Sequence, residues 1–398
     1  MPSSSDPTVL FMVGQTAQQA NGGVTSVLSI ASRLERTNPV LVTNRASAAL
    51  DRVKDRGVRV VIEPSLELDW GLGVSSFARR KLVWLERVAR TNARVLRIAR
   101  DVRADVLHAN DLPGLYLSAP AARLAGIPVV WNIRDLTNVR GAKWRAGRVL
   151  SDVVITLSGD MKRRVEQALP PMPLGPSAPI DAIYSVVDTD LVRPLSPEDR
   201  RRVRGELGIG DDEVAVGVVA AFLERKQQVE LLDAVARRGP GRATWTFVGD
   251  YRPDVDPYAA RFRDRLEADR ELARRVRAVG YRRDVERYYQ ALDLLVVASK
   301  EEGLARCMIE GISAGTPVVS FDVASAAEIL EGHGAGRVVR GGDFGALLDR
   351  VEELAEDAAQ RRAMGERGRA AAIELFSGRK NVDRYEDLYA QLASRRRR

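Results

Sequence analysis

The sequence predicts an α/β protein made of two parallel-sheet halves. Three observations carry this reading. Short β-branched runs alternate with segments of helical periodicity along nearly the whole chain. At 398 residues the chain is long for a single hydrophobic core. A proline-rich break, "LPPMPLGPSAPI" from Leu169 to Ile180, falls near the middle. Strands that alternate with helices pair in parallel and are covered on both faces, so the loops directly after strands are where a ligand is expected.

In the first half, "TVLFMV" reads as a strand and "GGVTSVLSIASRLER" as a helix. "PVLVT" and "RVVIE" follow as strands. A long helical stretch runs from Phe77 to Val102. After it come "ADVLHAN", a helix through "YLSAPAARLAG", and the strands "PVVWNI" and "DVVITLS". Past the proline-rich linker, placed at residues 170 to 195, a second series begins. Its strands are "EVAVGVVAAF", "ATWTFVG", "RVRAVG", "LDLLVVAS", "TPVVSF" and "AGRVV", and a last helix covers Asn381 to Ala393. The expected domains are therefore 1–185 and 186–398, with the final helix able to cross back to the first.

Composition narrows the function classes. Hydrophobic residues make up 45% and charged residues 29%, ordinary for a globular protein. The start, "MPSSSDPTVLFMVG", lacks the basic and apolar regions of a signal peptide, and no apolar run reaches membrane-spanning length, which leads to the expectation of a cytoplasmic protein. A single cysteine, Cys307, excludes an intrachain disulfide and a cysteine-based zinc site. The net charge of +8 is concentrated early: residues 1–190 hold 25 Lys+Arg against 18 Asp+Glu. Positive charge of this kind suits anionic lipid, phosphorylated substrates or nucleic acid, but no nucleic-acid recognition motif accompanies it, so no nucleic-acid partner is expected.

Four stretches offer chemistry. Gly22 and Gly23 follow the first strand and open the first helix, where bare backbone N–H groups can approach an anion; the alternative is a plain turn. The spacing matches neither GxGxxG nor a P-loop. His108 ends a strand and is a candidate proton carrier or hydroxyl ligand, unless it is a satisfied core histidine. Arg225 and Lys226 lie between a strand and the next helix, as cations meant for phosphate would. Most informative is "VVASKEEGLARCMIEGISAGTPVVSFD", Val296 to Asp322. Its helix is apolar nearly all round, so an ionised Glu310 within it needs a fixed partner, either a salt bridge or the two hydroxyls of a ribose. Glu302 lies on the loop before it, and the backbone N–H groups of Leu304, Ala305 and Arg306 approach the helix start. Gly315 and Pro317 end the helix.

This segment resembles the E-x7-E signature of the retaining family 4 glycosyltransferases of GT-B fold. "NGGVTSV", "ADVLHAND", "VVWNIRDL", "SDVVITLSGDMK", "IYSVVDTDLVRP", "FVGDY", "VGYRRDVERYYQALDLLVVAS" and "AAEILEGHGAGRVV" occur in the family's order, so the resemblance spans nearly the whole chain. It implies two Rossmann-like domains facing across a cleft and metal-independent transfer of a sugar from a nucleotide-sugar donor to an acceptor hydroxyl. UDP is the expected carrier because it is the commonest in the family. The first domain would bind a small-molecule, glycan or lipid-linked acceptor and the second the donor, with no further cofactor. Glu310 would hold the ribose and Glu302 the transferred sugar. Lys226 would bind the diphosphate, with Gly22 and Gly23 contacting it from the other domain. His108 would sit by the acceptor hydroxyl and Tyr281 near the base, with Asn132 and Arg134 candidates on the acceptor side. The chain departs from the family at Ala220-Ala221, where Gly-Arg is usual; Arg225 or Arg306 would have to replace that cation.

Competing readings are a same-fold nucleotide-sugar epimerase and a non-catalytic donor-binding subunit. "DTD" at Asp188 to Asp190 and "DVD" at Asp254 to Asp256 mimic a metal-binding DxD but lie in an interdomain segment and a proline-bounded loop, so no metal is expected. The basic helix at residues 78–103 interleaves arginines with Leu82, Trp84, Leu85, Val88, Val95, Leu96 and Ile98. That pattern fits either a peripheral contact with the inner membrane face or a solvated face over a buried one.

Overall fold

The computed structural model describes residues 6–13, 22–66, 77–134, 136, 139, 141–171, 177–239 and 241–397. The chain divides into two compact units, one of Met1–Val186 with Gly378–Arg398 and one of Val187–Ser377. Each is a parallel sheet between helices, as the alternation of elements requires.

In the first unit the strands are β1 (Thr8–Val13), β2 (Asn38–Thr43), β3 (Arg59–Ile62), β4 (Val106–Ala109), β5 (Val129–Ile133), β6 (Val153–Thr156) and β7 (Ile180–Ala182). Their order across the sheet is β3-β2-β1-β4-β5-β6-β7. β1, β4 and β5 are buried on both faces, which explains why they read as unbroken apolar runs. β7 was not anticipated. It has three residues at the end of the proline-rich stretch, and pairing with β6 rather than local propensity makes it a strand. The short helices Ala48–Lys54 and Ala142–Leu150 were likewise not anticipated.

Two details show how helices close this unit. Pro120 lies inside the helix Leu112–Leu124 and has no N–H to give the Tyr116 carbonyl. The Asn92 amide serves this turn: its Nδ2 donates to Tyr116 O at 3.1 Å and its Oδ1 accepts from Ala121 N at 2.9 Å. The last helix, Gly378–Arg397, is held by the buried Glu386, whose Oε1 accepts the backbone N–H groups of Glu35 and Arg36 while Oε2 pairs with Arg36 Nε at 3.0 Å. Val382, Tyr385, Tyr389 and Leu392 of that helix enter the same core as Val9, Phe11 and Val27.

In the second unit the strands are β8 (Val214–Val219), β9 (Ala243–Val248), β10 (Val276–Ala278), β11 (Leu294–Val297), β12 (Val318–Phe321) and β13 (Gly336–Val339), ordered β10-β9-β8-β11-β12-β13. The helix Arg306–Ser313 ends as the sequence predicts, with Gly315 at φ +78° turning the chain into Pro317 and β12. The entry and exit of this unit lie side by side, the Val187 N–H donating to Phe376 O at 3.0 Å.

Candidate active site

In an open parallel sheet the crevice forms where the strand order reverses, at the carboxyl ends. In the second unit that point lies between β8 and β11, and the loops after these two strands carry the candidate residues. After β8 the chain runs through Ala220 and Ala221 to a single helical turn, Glu224–Lys226, then through Gln227 in the left-handed region into the helix Gln228–Arg238. The turn is fastened to the loop after β11 by Lys300 N–H donating to Arg225 O at 2.8 Å. Lys226 Nζ thereby meets Glu302 Oε1, which also accepts from Ser299 Oγ at 2.7 Å, and Arg225 Nη1 lies 3.5 Å from Glu302 Oε2. Glu302 and Lys226 are mostly enclosed, with side chains 9% and 13% exposed; Arg225 is half-exposed.

Beside them the helix Arg306–Ser313 carries Glu310. The salt bridge weighed for it in the sequence is present: Arg306 Nε and Nη2 both donate to Glu310 Oε1, at 3.1 and 2.6 Å. Tyr289 is buried, and burial together with the Glu310 carboxylate pushes its hydroxyl well above the ordinary tyrosine range, so it stays protonated. Burial also pushes the Cys307 thiol up to about 12, which leaves it un-ionised at neutral pH and unsuited to nucleophilic chemistry. Leu304 and Ala305 are buried, and Ala305 is an N-cap that supplies no side-chain oxygen to the helix. The wall opposite is backbone: a Cβ on Gly249 would stand 1.8 Å from Ala220 O, so only glycine lets the end of β9 press against the end of β8. Tyr281, following β10, is 47% exposed.

In the first unit the reversal lies between β1 and β4. His108, in β4, is fully buried. Its Nδ1 is 2.7 Å from the Tyr389 hydroxyl, and its ring lies 5.0 Å from that of Phe11. Burial, with the Arg134 guanidinium adding to it, pushes its pKa down to about 3, so the imidazole is neutral at pH 7. Among the described residues its Nε2 has no hydrogen-bond partner. Asn132 donates from Nδ2 to the Tyr385 hydroxyl at 3.3 Å, and Arg134 Nε donates to Asn110 Oδ1. His108 thus stands in the core of the first unit, with its Nδ1 engaged by Tyr389 of the last helix and β4 buried throughout. Gly22 and Gly23 open the helix Gly22–Ala31, and the loop before them, residues 14–21, lies outside the described residues.

Residues 20–191 match the family model described as Glycosyltransferase Family 4, and residues 213–357 match the model described as Glycosyl transferases group 1. The chain belongs to this glycosyltransferase family. The glycosyltransferase is 28% identical over 297 residues to the GDP-mannose-dependent alpha-(1-6)-phosphatidylinositol monomannoside mannosyltransferase of Mycolicibacterium smegmatis, covering 69% of this chain and 73% of that protein. It is 24% identical over 246 residues to the N-acetyl-alpha-D-glucosaminyl L-malate synthase of Bacillus anthracis, covering 62% of this chain and 61% of the other. Its fold superposes on Anabaena HepE, crystallised with UDP and glucose, with a TM-score of 0.76, 20% identity and coverage of 97% and 99% of the two chains. The GT-B fold read from the sequence is therefore the fold of the glycosyltransferase.

The aspartate pairs have structural roles. Asp188 Oδ1 accepts from Leu191 N, Asp254 pairs with Arg263, and Asp256 caps the helix Pro257–Glu267. Among the described residues no group of three or more His, Cys, Asp or Glu is placed to hold a metal ion, and no helix is long and apolar enough to cross a membrane. In the basic helix Phe77–Asp101, Val95 and Ala99 are buried while Leu85 is 58% exposed; Arg90 pairs with Glu86 and Arg94 with Glu63. The sequence reading missed Ser299, Tyr289, Asn110 and the Tyr385–Tyr389 pair. Of these, only the two tyrosines left a signal, a four-residue helical spacing continued by Leu392.

Proposed function

We propose that this glycosyltransferase moves a sugar from a nucleotide-sugar donor to an acceptor hydroxyl with retention of configuration. The observation that carries the reading is the convergence of Arg225, Lys226, Glu302 and Glu310 at the β8–β11 reversal of one unit. As the glycosidic bond lengthens, negative charge grows on the leaving diphosphate. Lys226 and Arg225 supply fixed positive potential for it, the part a divalent cation plays elsewhere. Glu310 accepts the ribose hydroxyls, and Glu302, braced by Lys226 and Ser299, accepts hydroxyls of the transferred sugar. Tyr281, exposed after β10, contacts the base. The acceptor attacks the same face of the sugar, and the departing phosphate oxygen takes its proton, so neither carboxylate needs to act as a nucleophile.

UDP is the first expectation for the carrier, in keeping with the UDP bound by HepE. GDP is the second, favoured by the GDP-mannose dependence of the M. smegmatis relative. The acceptor belongs to cell-envelope polysaccharide, glycolipid or natural-product glycoside synthesis, at the cytoplasmic face. The basic helix would add a contact with anionic lipid: of its apolar residues Val95 is buried, Trp84, Val88, Leu96 and Ile98 are half-buried and Leu85 is exposed. Failure to co-sediment with anionic vesicles at low salt would remove it.

A thermal-shift panel of UDP-, GDP-, ADP- and dTDP-linked sugars tests the proposal. One carrier class should raise the melting temperature, and the best binder should release its nucleoside diphosphate on turnover. Glu310→Ala should abolish both effects; unchanged binding and turnover in that variant would sink the assignment.

A further inference from the structure

The second unit holds a cavity of about 250 Å³ at the amino end of β9, the opposite end of the strand from the candidate donor site. The six residues of β9 put about 20 Å between the cavity and Gly249. The cavity lies between the ends of the helices Gln228–Arg238 and Arg270–Arg275 and the side of the helix Phe344–Glu356. Trp245, Leu348 and Val351 of the core form its apolar wall. Pockets for drug-sized ligands run from about 300 to 1,000 Å³, so this one suits a molecule of single-ring size.

Its polar side is arginine-rich, and the arginines are not equally satisfied. Arg238 pairs with Asp349 and Glu352, at 2.7 and 3.0 Å. Arg242 is exposed, and Arg275 is half-buried; among the described residues neither has a carboxylate partner. Arg275 Nη2 donates to Val235 O at 3.2 Å and so closes a helix end, but its Nε is buried with no hydrogen-bond partner among the described residues. Such an orphaned donor costs free energy until an acceptor reaches it. Arg361, bonded to the Leu354 and Ala355 carbonyls beside the cavity, feels Arg242 as a like charge. Of the carboxylates that line the cavity, Glu352 is already taken by Arg238, and Glu356 is exposed.

We infer that this cavity is a second ligand site, taking a small phosphate monoester whose apolar ring lies against Trp245, Leu348 and Val351. A phosphate monoester carries about two negative charges at pH 7 and three acceptor oxygens, which matches two guanidiniums that lack counter-ions. A carboxylate would answer only one of them. Arg275 gives the phosphate its buried Nε–H, and Arg242 closes over it from the rim. The site is independent of the donor reading, because none of Arg225, Lys226, Glu302 and Glu310 lines it.

Calorimetric titration of the full chain with phenyl phosphate, inorganic phosphate and phenol tests this, using wild type, Arg242→Ala, Arg275→Ala and Lys226→Ala. Phenyl phosphate should bind wild type with a Kd of about 1 mM or tighter, and each of the other two at least about tenfold more weakly. Arg275→Ala should weaken phenyl phosphate about ten- to a hundredfold, as for loss of a charged hydrogen bond, and Arg242→Ala by about three- to tenfold. Lys226→Ala should leave it unchanged. Arg242 is exposed, so its variant keeps the fold and decides the matter even if Arg275→Ala lowers the melting temperature. Absence of saturable phenyl phosphate binding would overturn the inference. So would binding that is lost in Lys226→Ala and kept in both arginine variants, which would place the anion at the donor cations. Inorganic phosphate binding as tightly as phenyl phosphate would also overturn it, by showing that the apolar wall is not used.

Discussion

At the reversal between β1 and β4 the first unit gathers His108, Asn132, Tyr385 and Tyr389, uncharged and buried under its last helix, with the Arg134 guanidinium near them. At the reversal between β8 and β11 the second unit gathers two carboxylates and three cations, partly exposed and paired with one another. The two sheets are alike in topology, so strand order alone does not decide what a reversal point becomes. What decides it is whether a later segment closes over the strand ends. Where tyrosines close over β4, the histidine loses water and with it its proton. Where helix starts and loops surround β8 and β11, charge survives because each charge has a neighbour of opposite sign.

The largest effect expected from breaking this contrast is at Lys226. Lys226→Ala leaves Glu302 without its enclosed cation and removes positive potential from the leaving group. Turnover, read as nucleoside diphosphate release, should fall by about 10²–10³. A loss smaller than threefold would mean that the charged cluster is structural, like its counterpart in the first unit.

The next effect sharpens the neutral side of the comparison. The folded pKa of His108 is pushed down to about 3, whereas the unfolded chain keeps the ordinary value of 6.5. Below pH 6.5 the unfolded state therefore binds a proton that the folded state refuses, so stability is lost as pH falls through that window. Between pH 7 and pH 5 this amounts to about 2 kcal/mol. His108→Gln, which cannot titrate, should flatten the urea-unfolding stability of the first unit by that much over the same interval. An unchanged pH slope would show that the imidazole is open to solvent. A smaller change is expected for Tyr389→Phe, which strips the hydroxyl from His108 Nδ1 and should cost about 0.5–1.5 kcal/mol in the same unfolding experiment.

How much of this was legible in the sequence follows from separation along the chain. Glu302, Glu310 and Arg306 lie within one strand-loop-helix segment, and Lys226 follows a strand that read clearly, so the charged cluster could be placed by element type alone. The bond between His108 and Tyr389 joins residues 281 apart, and no local pattern announces it. The sequence places His108 at a strand end, which is correct, but cannot show that the last helix covers that end. Both possibilities weighed for Glu310, a salt bridge and a ligand's hydroxyls, survive together, because Arg306 four residues earlier satisfies the carboxylate by geometry intrinsic to a helix. β7 escaped notice because three residues beside a run of prolines form a strand only when an existing sheet edge receives them.

The return of the chain at Gly378 bears on how the protein is made. The second unit is one uninterrupted stretch whose ends are bonded to each other, whereas the first lacks its closing helix until Gly378–Arg397 has been made. On the ribosome the half made second can therefore finish folding first. The strands of the first unit must wait, with β1 and β4 lacking part of their cover, for a segment made only after the whole of the second.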